Sequence, residues 1–303
     1  MTIRSVAIIG LGLLGGSIGL AIREKLSEVT TTGFDADADV RGRATANGLV
    51  GAVCDTAAQA VASADLVILC VPVGAMGDAA RGLAGCLKEG AIVSDVGSSK
   101  RSVVSALEEA LPDAIVIPAH PVAGTERSGP DAGFATLFEG RWCILTPPKN
   151  ADTDAVSALT LFWQELGATV ELMDPDHHDL VLAVTSHIPH LIAYTIVGTA
   201  SDLEDVTRGE VIKYSAGGFR DFTRIAASDP VMWRDVFLNN RDAVLEMLGR
   251  FTEDLTAMQR AIRDGDGDRL LEIFSRTRAI RQAILEQGQD VAKPDFGRGS
   301  KEV

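Results

Sequence analysis

The 303-residue chain is short of positive charge: 28 Lys and Arg stand against 42 Asp and Glu, a formal net charge of −14. That deficit argues against nucleic acid or an anionic membrane as a partner, because both require basic patches. An anionic small molecule would have to be met by locally placed cations. Cysteine is also scarce. Cys54, Cys70, Cys86 and Cys143 form no CxxC pair and no His/Cys zinc spacing, so the chain reads as a reduced cytoplasmic protein without disulfides. No unbroken run of about 18 apolar residues occurs, and no basic n-region or apolar h-region precedes the first strand; neither a membrane span nor an export signal is expected. Histidine is limited to five residues. Of these, His187 and His190 could share a helical face, but HExxH spacing and a neighbouring carboxylate ligand are lacking, so no metal is expected.

What is present is a phosphate-cradling loop. A short β-type run, Val6 to Ile9, leads directly into Gly10-Leu11-Gly12-Leu13-Leu14-Gly15-Gly16-Ser17, and Asp35 ends the next strand-like run. Gly10 permits the tight strand-to-helix turn, Gly12 lets a pyrophosphate approach the backbone, and Gly15 allows close helix–strand packing. The free N–H groups of the helix start then face the phosphates. The spacing from Gly15 to Asp35 matches the roughly 20 residues expected before the acid that binds the adenosine ribose. A carboxylate there repels a 2′-phosphate, so NAD is favoured over NADP. Arg41 and Arg43 follow closely and are read as lining the solvent face of the next helix.

Up to about residue 173 short β-branched runs alternate with Ala-rich helical segments, as in a parallel sheet covered on both faces. Strands are expected at Val6–Ile9, Thr30–Phe34, Leu66–Val71, Ala91–Val96, Ile115–Pro118, Cys143–Leu145 and Val170–Leu172. Beyond Asp176 the pattern becomes helical, over Val181–Ala200, Arg234–Arg263 and Asp268–Gln287. The fold class is therefore α/β: an N-terminal Rossmann-type, doubly wound parallel sheet over residues 1–174, and an all-helical domain over 175–289. Residues 290–303 are polar and read as a mobile tail.

His120 follows an apolar run, at the carboxyl end of a strand, where doubly wound folds bind ligands. Ser98 follows another strand within Asp95-Val96-Gly97-Ser98-Ser99-Lys100, and on propensity alone is an N-cap. His177 and His178, beside Asp174-Pro175, read as exposed linker residues. The segment from Gly217 to Trp233 combines a glycine turn, Arg220 and Arg224, aromatics and a proline stop at Pro230. An arginine there suits bidentate recognition of a carboxylate.

Taken together, His120-Pro121-Val122-Ala123-Gly124-Thr125-Glu126, Asp95 to Lys100, Ser186-His187-Ile188-Pro189-His190, and Phe219 to Ala226 continuing to Trp233 resemble the prephenate/arogenate (cyclohexadienyl) dehydrogenase family of tyrosine biosynthesis. The resemblance covers nearly the whole chain. It implies that His120 is the base at the substrate's ring hydroxyl, with Ser98 hydrogen-bonding to it and to the region near the nicotinamide. Arg224 becomes the carboxylate anchor; His190, His187, Glu126 and Trp233 become pocket residues; Gly10, Gly12, Leu13, Leu14, Gly15 and Asp35 hold NAD. It also implies oxidative decarboxylation of prephenate or arogenate and a homodimer through the helical domain. Rival readings fare less well. A 3-hydroxyacid-type dehydrogenase should carry a lysine at the start of the helical domain, and Asp176–Tyr194 has none. A nucleotide-sugar dehydrogenase needs a nucleophilic cysteine, and none follows Cys143. A non-catalytic NAD sensor should have lost His120 or Arg224.

Overall fold

The computed structural model describes residues 2–125, 127–202 and 217–286. Up to Val116 it alternates strand and helix: β1 (Ser5–Ile9), α1 (Leu13–Lys25), β2 (Thr30–Phe34), α2 (Ala38–Ala46), β3 (Ala52–Val53), α3 (Ala57–Val61), β4 (Leu66–Leu69), α4 (Met76–Arg81), β5 (Ile92–Asp95), α5 (Arg101–Ala110) and β6 (Ile115–Val116). All six strands are parallel, in the order β3-β2-β1-β4-β5-β6. This is the doubly wound order, in which winding reverses between β1 and β4 and ligands bind outside the carboxyl ends of the strands.

The central strands owe their positions to composition. Val6–Ile9, Leu66–Leu69 and Ile92–Asp95 are buried along their whole length, as strands covered on both faces must be. Alternate residues of β1 enter different cores. Val6 and Ile8 belong with Ile18, Ile22 and Phe138, whereas Ala7 and Ile9 belong with Val67, Leu69 and Leu107.

A second, three-stranded sheet follows, made of β7 (Ala119–Pro121), β8 (Trp142–Leu145) and β9 (Thr169–Leu172), with α6 (Thr153–Glu165) between the last two. β7 is antiparallel to β8, which is parallel to β9. The sequence pattern runs one strand through Pro118 and leaves His120 just beyond it. The structure instead ends β6 at Val116 and puts His120 inside β7. Pro118 has no N–H to continue the ladder; its carbonyl accepts from Thr146 N (2.9 Å), and Ala119 N donates to Asp95 Oδ1 (3.1 Å), so the chain changes sheet there.

Helices follow. α7 (Pro175–Leu182) passes through a π turn at Ala183–His187 into α8 (Ile188–Ser201); then come α9 (Gly217–Thr223), a 3₁₀ turn at Arg224–Ala227, α10 (Pro230–Asn239), α11 (Arg241–Asp264) and α12 (Gly267–Glu286). Three sequence readings need correction. Gly217 and Gly218 lie in a helix instead of forming a turn. Pro230 starts a helix, where its missing N–H costs nothing, and Asp229 Oδ1 caps it by accepting from Val231 N and Met232 N. The helix expected from Arg234 to Arg263 is interrupted at Asn240, whose side chain is drawn inward.

The helical stretch that runs through the π turn is apolar. Pro175–Ser201 is a 27-residue helix whose most apolar stretch has mean hydropathy 1.6, enough by length and composition to cross a membrane. Its His, Ser, Thr and Pro residues interrupt the apolar run, but Leu180–Val197 contains no Asp, Glu, Lys or Arg.

Two compact units result, Met1–Met247 and Leu248–Val303. The 174/175 junction falls inside the first, between β9 and α7. In the second, Leu255, Ile262, Leu271, Phe274 and Ile280 expose apolar surface. Glu126 and the stretch expected to be a tail lie outside the described residues.

Candidate active site

The glycine loop sits at the reversal point of the sheet. Gly10 has φ +101°, a region that L side chains avoid, and a Cβ there would lie 2.5 Å from the Cys70 carbonyl oxygen beyond β4. A Cβ on Gly15 would come within 1.9 Å of the Gly10 carbonyl oxygen, whereas one on Gly12 would meet nothing. The loop is therefore closed on the protein side and open at Gly12, the form a pyrophosphate cradle requires. Gly15→Ala should weaken dinucleotide binding at least tenfold, about 1.4 kcal/mol, as measured by NADH fluorescence titration.

Asp35 reaches back to this loop. Its Oδ2 accepts from Leu11 N (2.8 Å) and its Oδ1 from Asp37 N (3.0 Å), which fixes the carboxylate at the rim. The two neighbouring arginines are engaged elsewhere. Arg41 Nη1 donates to the Asp35 and Ala36 carbonyl oxygens, with its guanidinium 5.6 Å from the Phe34 ring centroid, and Arg43 pairs with Asp39 and Asp131.

At the ends of β5 and β7 lies a buried polar cluster. Lys100 Nζ donates to Asp95 Oδ2 (2.5 Å) and to the Ala119 carbonyl oxygen (2.6 Å), and neither charged side chain is exposed. Asp95 also accepts from Gly97 N and Ala119 N. Burial pushes the Lys100 ammonium below its ordinary range, with Asp95 opposing. These bonds fix the backbone on either side of Ser98 and just before His120.

His120 is 7% exposed, and its Nδ1 lies 2.8 Å from His178 Nε2. Burial drives its pKa well below 6.5, helped by His178, Lys100 and His187. His178 Nδ1 in turn lies 2.9 Å from Asp179 Oδ1. The reading of His178 as an exposed linker residue was incorrect: it is fully buried, while His177 beside it is exposed. The legible signal was the Asp174-Pro175 helix start. A helix from that point puts His178 and Leu182, four residues apart, on one face, and both are buried.

Asn240, unnoticed in the sequence, closes the cluster, donating from Nδ2 to the Asp179 carbonyl oxygen (2.8 Å) and lying 3.0 Å from His187 Nδ1. His187 Nε2 is buried with no hydrogen-bond partner; the Ser98 main chain is near enough to oppose its shift but outside hydrogen-bonding geometry. Burial lowers the His187 pKa to about 4. Trp233 packs edge-on to His187 (6.0 Å) and stacks on His190 (3.7 Å). His190 Nδ1 bonds to the Ser186 carbonyl oxygen (2.8 Å), and its pKa is lowered by burial and by the Arg224 charge. Thus His120, His178, His187, Trp233, His190 and Arg224 form a continuous series, with half-buried Ser98 beside His187. Arg224 itself is exposed on its 3₁₀ turn. Among the described residues no group of three potential metal ligands comes together.

The chain is similar to known proteins over nearly its whole length. Residues 18–172 match the family model "Prephenate dehydrogenase, nucleotide-binding domain", and residues 174–276 match "Prephenate dehydrogenase, dimerization domain". The first match begins within α1, so the glycine loop stands on its own geometry. The chain is 46% identical to a cyclohexadienyl dehydrogenase of Zymomonas mobilis, with 93% of this chain and 96% of the relative aligned. It is 32% identical to a prephenate dehydrogenase of Bacillus subtilis, over 92% and 76% of the two chains. The crystal structure of Aquifex aeolicus prephenate dehydrogenase in complex with hydroxyphenyl propionate and NAD+ superposes with a TM-score of 0.87 at 33% identity, covering 94% of this chain and 99% of that one. Because both halves match one family and full-length relatives share a third to nearly half of their residues with it, the chain belongs to the prephenate dehydrogenase family of oxidoreductases.

Proposed function

We propose that this chain catalyses the NAD-dependent oxidative decarboxylation of prephenate to 4-hydroxyphenylpyruvate, with His120 as the base. The observation that carries this reading is His120 itself, a buried imidazole kept neutral inside β7 and beside the carboxyl end of β5, in one continuous cluster with His187, Trp233, His190 and Arg224. Prephenate carries a hydroxyl and a hydrogen on ring C4 and a carboxylate on C1. Bound NAD supplies the acceptor for the C4 hydride. His120 Nε2 takes the hydroxyl proton as the hydride leaves, the C1–carboxylate bond breaks to release CO2, and its electrons complete the aromatic ring. His120 can then return the proton to the phenolate oxygen. General-base assistance of this kind is worth about 10² to 10⁴ in rate, and loss of the diene to an aromatic ring drives the reaction.

The loop of Gly10, Gly12, Leu13, Leu14 and Gly15 would hold the pyrophosphate, and Asp35 the adenosine ribose. The engagement of Arg41 and Arg43 with other groups supports NAD over NADP, because neither is left to meet a 2′-phosphate. Ser98 and the unpartnered His187 Nε2 would meet polar groups of the bound ligand, and Arg224 would anchor a carboxylate. Arg224→Ala should raise KM for prephenate about 10- to 150-fold while leaving kcat within a few-fold, since a charge-assisted bond contributes about 1.5 to 3 kcal/mol. We assign residues 1–174 to the cofactor and 175–289 to substrate and dimerisation, a division supported by the meeting of the two family models between residues 172 and 174. A homodimer is supported by the dimerization-domain match and by exposed apolar residues such as Val184, Ile196, Leu255 and Phe274.

Arogenate is the second reading, favoured by the similarity to a cyclohexadienyl dehydrogenase and by Glu126, a carboxylate available for an ammonium group. NADH formation with prephenate and with arogenate, each tested with NAD and NADP, decides between them. Turnover of arogenate alone would overturn the prephenate assignment. No turnover of either substrate by folded protein that binds NAD would overturn both.

A further inference from the structure

We infer that Asp179 and His178 are positioning residues that lock His120 into the tautomer bearing hydrogen on Nδ1 and a lone pair on Nε2. This rests on the reading of His120 as the base. The inference follows from donor and acceptor counting along a buried chain. Asp179 caps α5 from outside that helix: Oδ1 accepts from Lys100 N (2.7 Å) and Oδ2 from Arg101 N (3.0 Å), in place of a side-chain cap from α5's own N-cap residue. A carboxylate can only accept, so the His178 nitrogen facing it, Nδ1, must carry hydrogen. Burial disfavours the charged imidazolium, so His178 Nε2 is left with a lone pair. Only a donor satisfies that lone pair, and the atom opposite is His120 Nδ1. Each step leaves one option, and the last leaves His120 Nε2 free to accept a proton.

The same chain shows what would undo the base. Were His120 hydrogenated on Nε2, its Nδ1 lone pair would face the lone pair of His178 across 2.8 Å, and the nitrogen presented to substrate would donate. When Nε2 takes up a proton, the new charge is met by His178 and, through it, by the Asp179 carboxylate. Asn240 steadies the other side, holding the Asp179 main-chain carbonyl. In the Ser-His-Asp triad, the wrong histidine tautomer costs on the order of 10⁴ in kcat.

The chain's five histidines make the tautomers readable by ¹⁵N NMR of histidine-labelled holoenzyme. For the wild-type protein at neutral pH, the expected His120 signature is a protonated Nδ1 and a bare Nε2. In His178→Phe the Nδ1–H form should lose its dominance and kcat should fall at least tenfold, with NAD affinity within two-fold. His178→Gln, which keeps an acceptor opposite His120, should restore both the tautomer and most of kcat. A wild-type His120 protonated on Nε2, or an Nδ1–H form that persists in His178→Phe, overturns the inference; the wild-type spectrum decides even if His178→Phe does not fold. Should the tautomer behave as described while His120→Asn retains full kcat, the relay stands and the base assignment fails.

Discussion

Replacing His120 with Asn should lower kcat by about 10² to 10⁴ while changing the affinity for NAD less than two-fold. The side chain lies in a buried cluster, and among the described residues no hydrogen bond ties it to Gly10–Gly15. Its depressed pKa adds a directional expectation. Burial first, then His178, Lys100 and His187, hold the imidazole neutral well below pH 6.5. The acid limb of kcat, where His120 becomes protonated and can no longer accept, should therefore lie below the ordinary histidine value. Stability follows the same sign. His120, His178 and His187 are all lowered in the folded protein, so their contribution is complete above pH 6.5 and is lost as pH falls toward their folded values, which for His187 is about 4. A variant with intact kcat and abolished cofactor binding would refute the base assignment.

The second large effect is expected at Lys100. Lys100→Met removes the ammonium that faces Asp95 in the interior and strands a carboxylate at full burial. Breaking a buried pair from one side costs about 3 to 5 kcal/mol, which for a chain of this size lowers Tm on the order of ten degrees. Asp95→Asn alone should cost a similar amount. The double variant should be less destabilised than the sum of the two, because it removes both charges together. Circular dichroism melts of the three variants measure this, and strict additivity would show that the two charges are not coupled. Loss of activity should accompany loss of stability in Lys100→Met, since the pair holds the loop of Ser98 and the carbonyl of Ala119 that precedes His120.

Much of this site was legible in the amino-acid order. The glycine loop, Asp35 and the alternation of buried strands with helices are local signals, carried by residues whose backbone demands or burial patterns leave few alternatives. His120 and the arginines of the Gly217–Trp233 segment stand out by their place in the chain, whereas the roles of His120, Arg224, His190 and Trp233 come only through the motif resemblance. What escaped was set by tertiary contacts. β3, two residues long, has no pattern to read. His178 and Asp179 form part of the cluster only because Asp174 and Pro175 start a helix just ahead of them, where the sequence by itself reads His177 and His178 as linker residues. Asn240 breaks a helix that its neighbours in sequence favour, because its amide is held by Asp179 and His187. Glu126 lies outside the described residues.

The π turn at Ala183–His187 governs angles as well as hydrogen bonds. His178 and His187 are nine positions apart, and in an unbroken α-helix that spacing would point them about half a turn from each other. The wide turn absorbs one extra residue, so the effective separation is eight steps and the two rings come to within roughly a quarter-turn. Both then face the side where His120, Asn240 and Trp233 wait. The aim of His187 and His190 is thus set by the number of backbone units between them and Asp179. If the five residues of the turn tightened into regular α-helix with none removed, the separation would return to nine steps and α8 would rotate by about 100°, away from Trp233, while every contacting side chain stayed in the sequence.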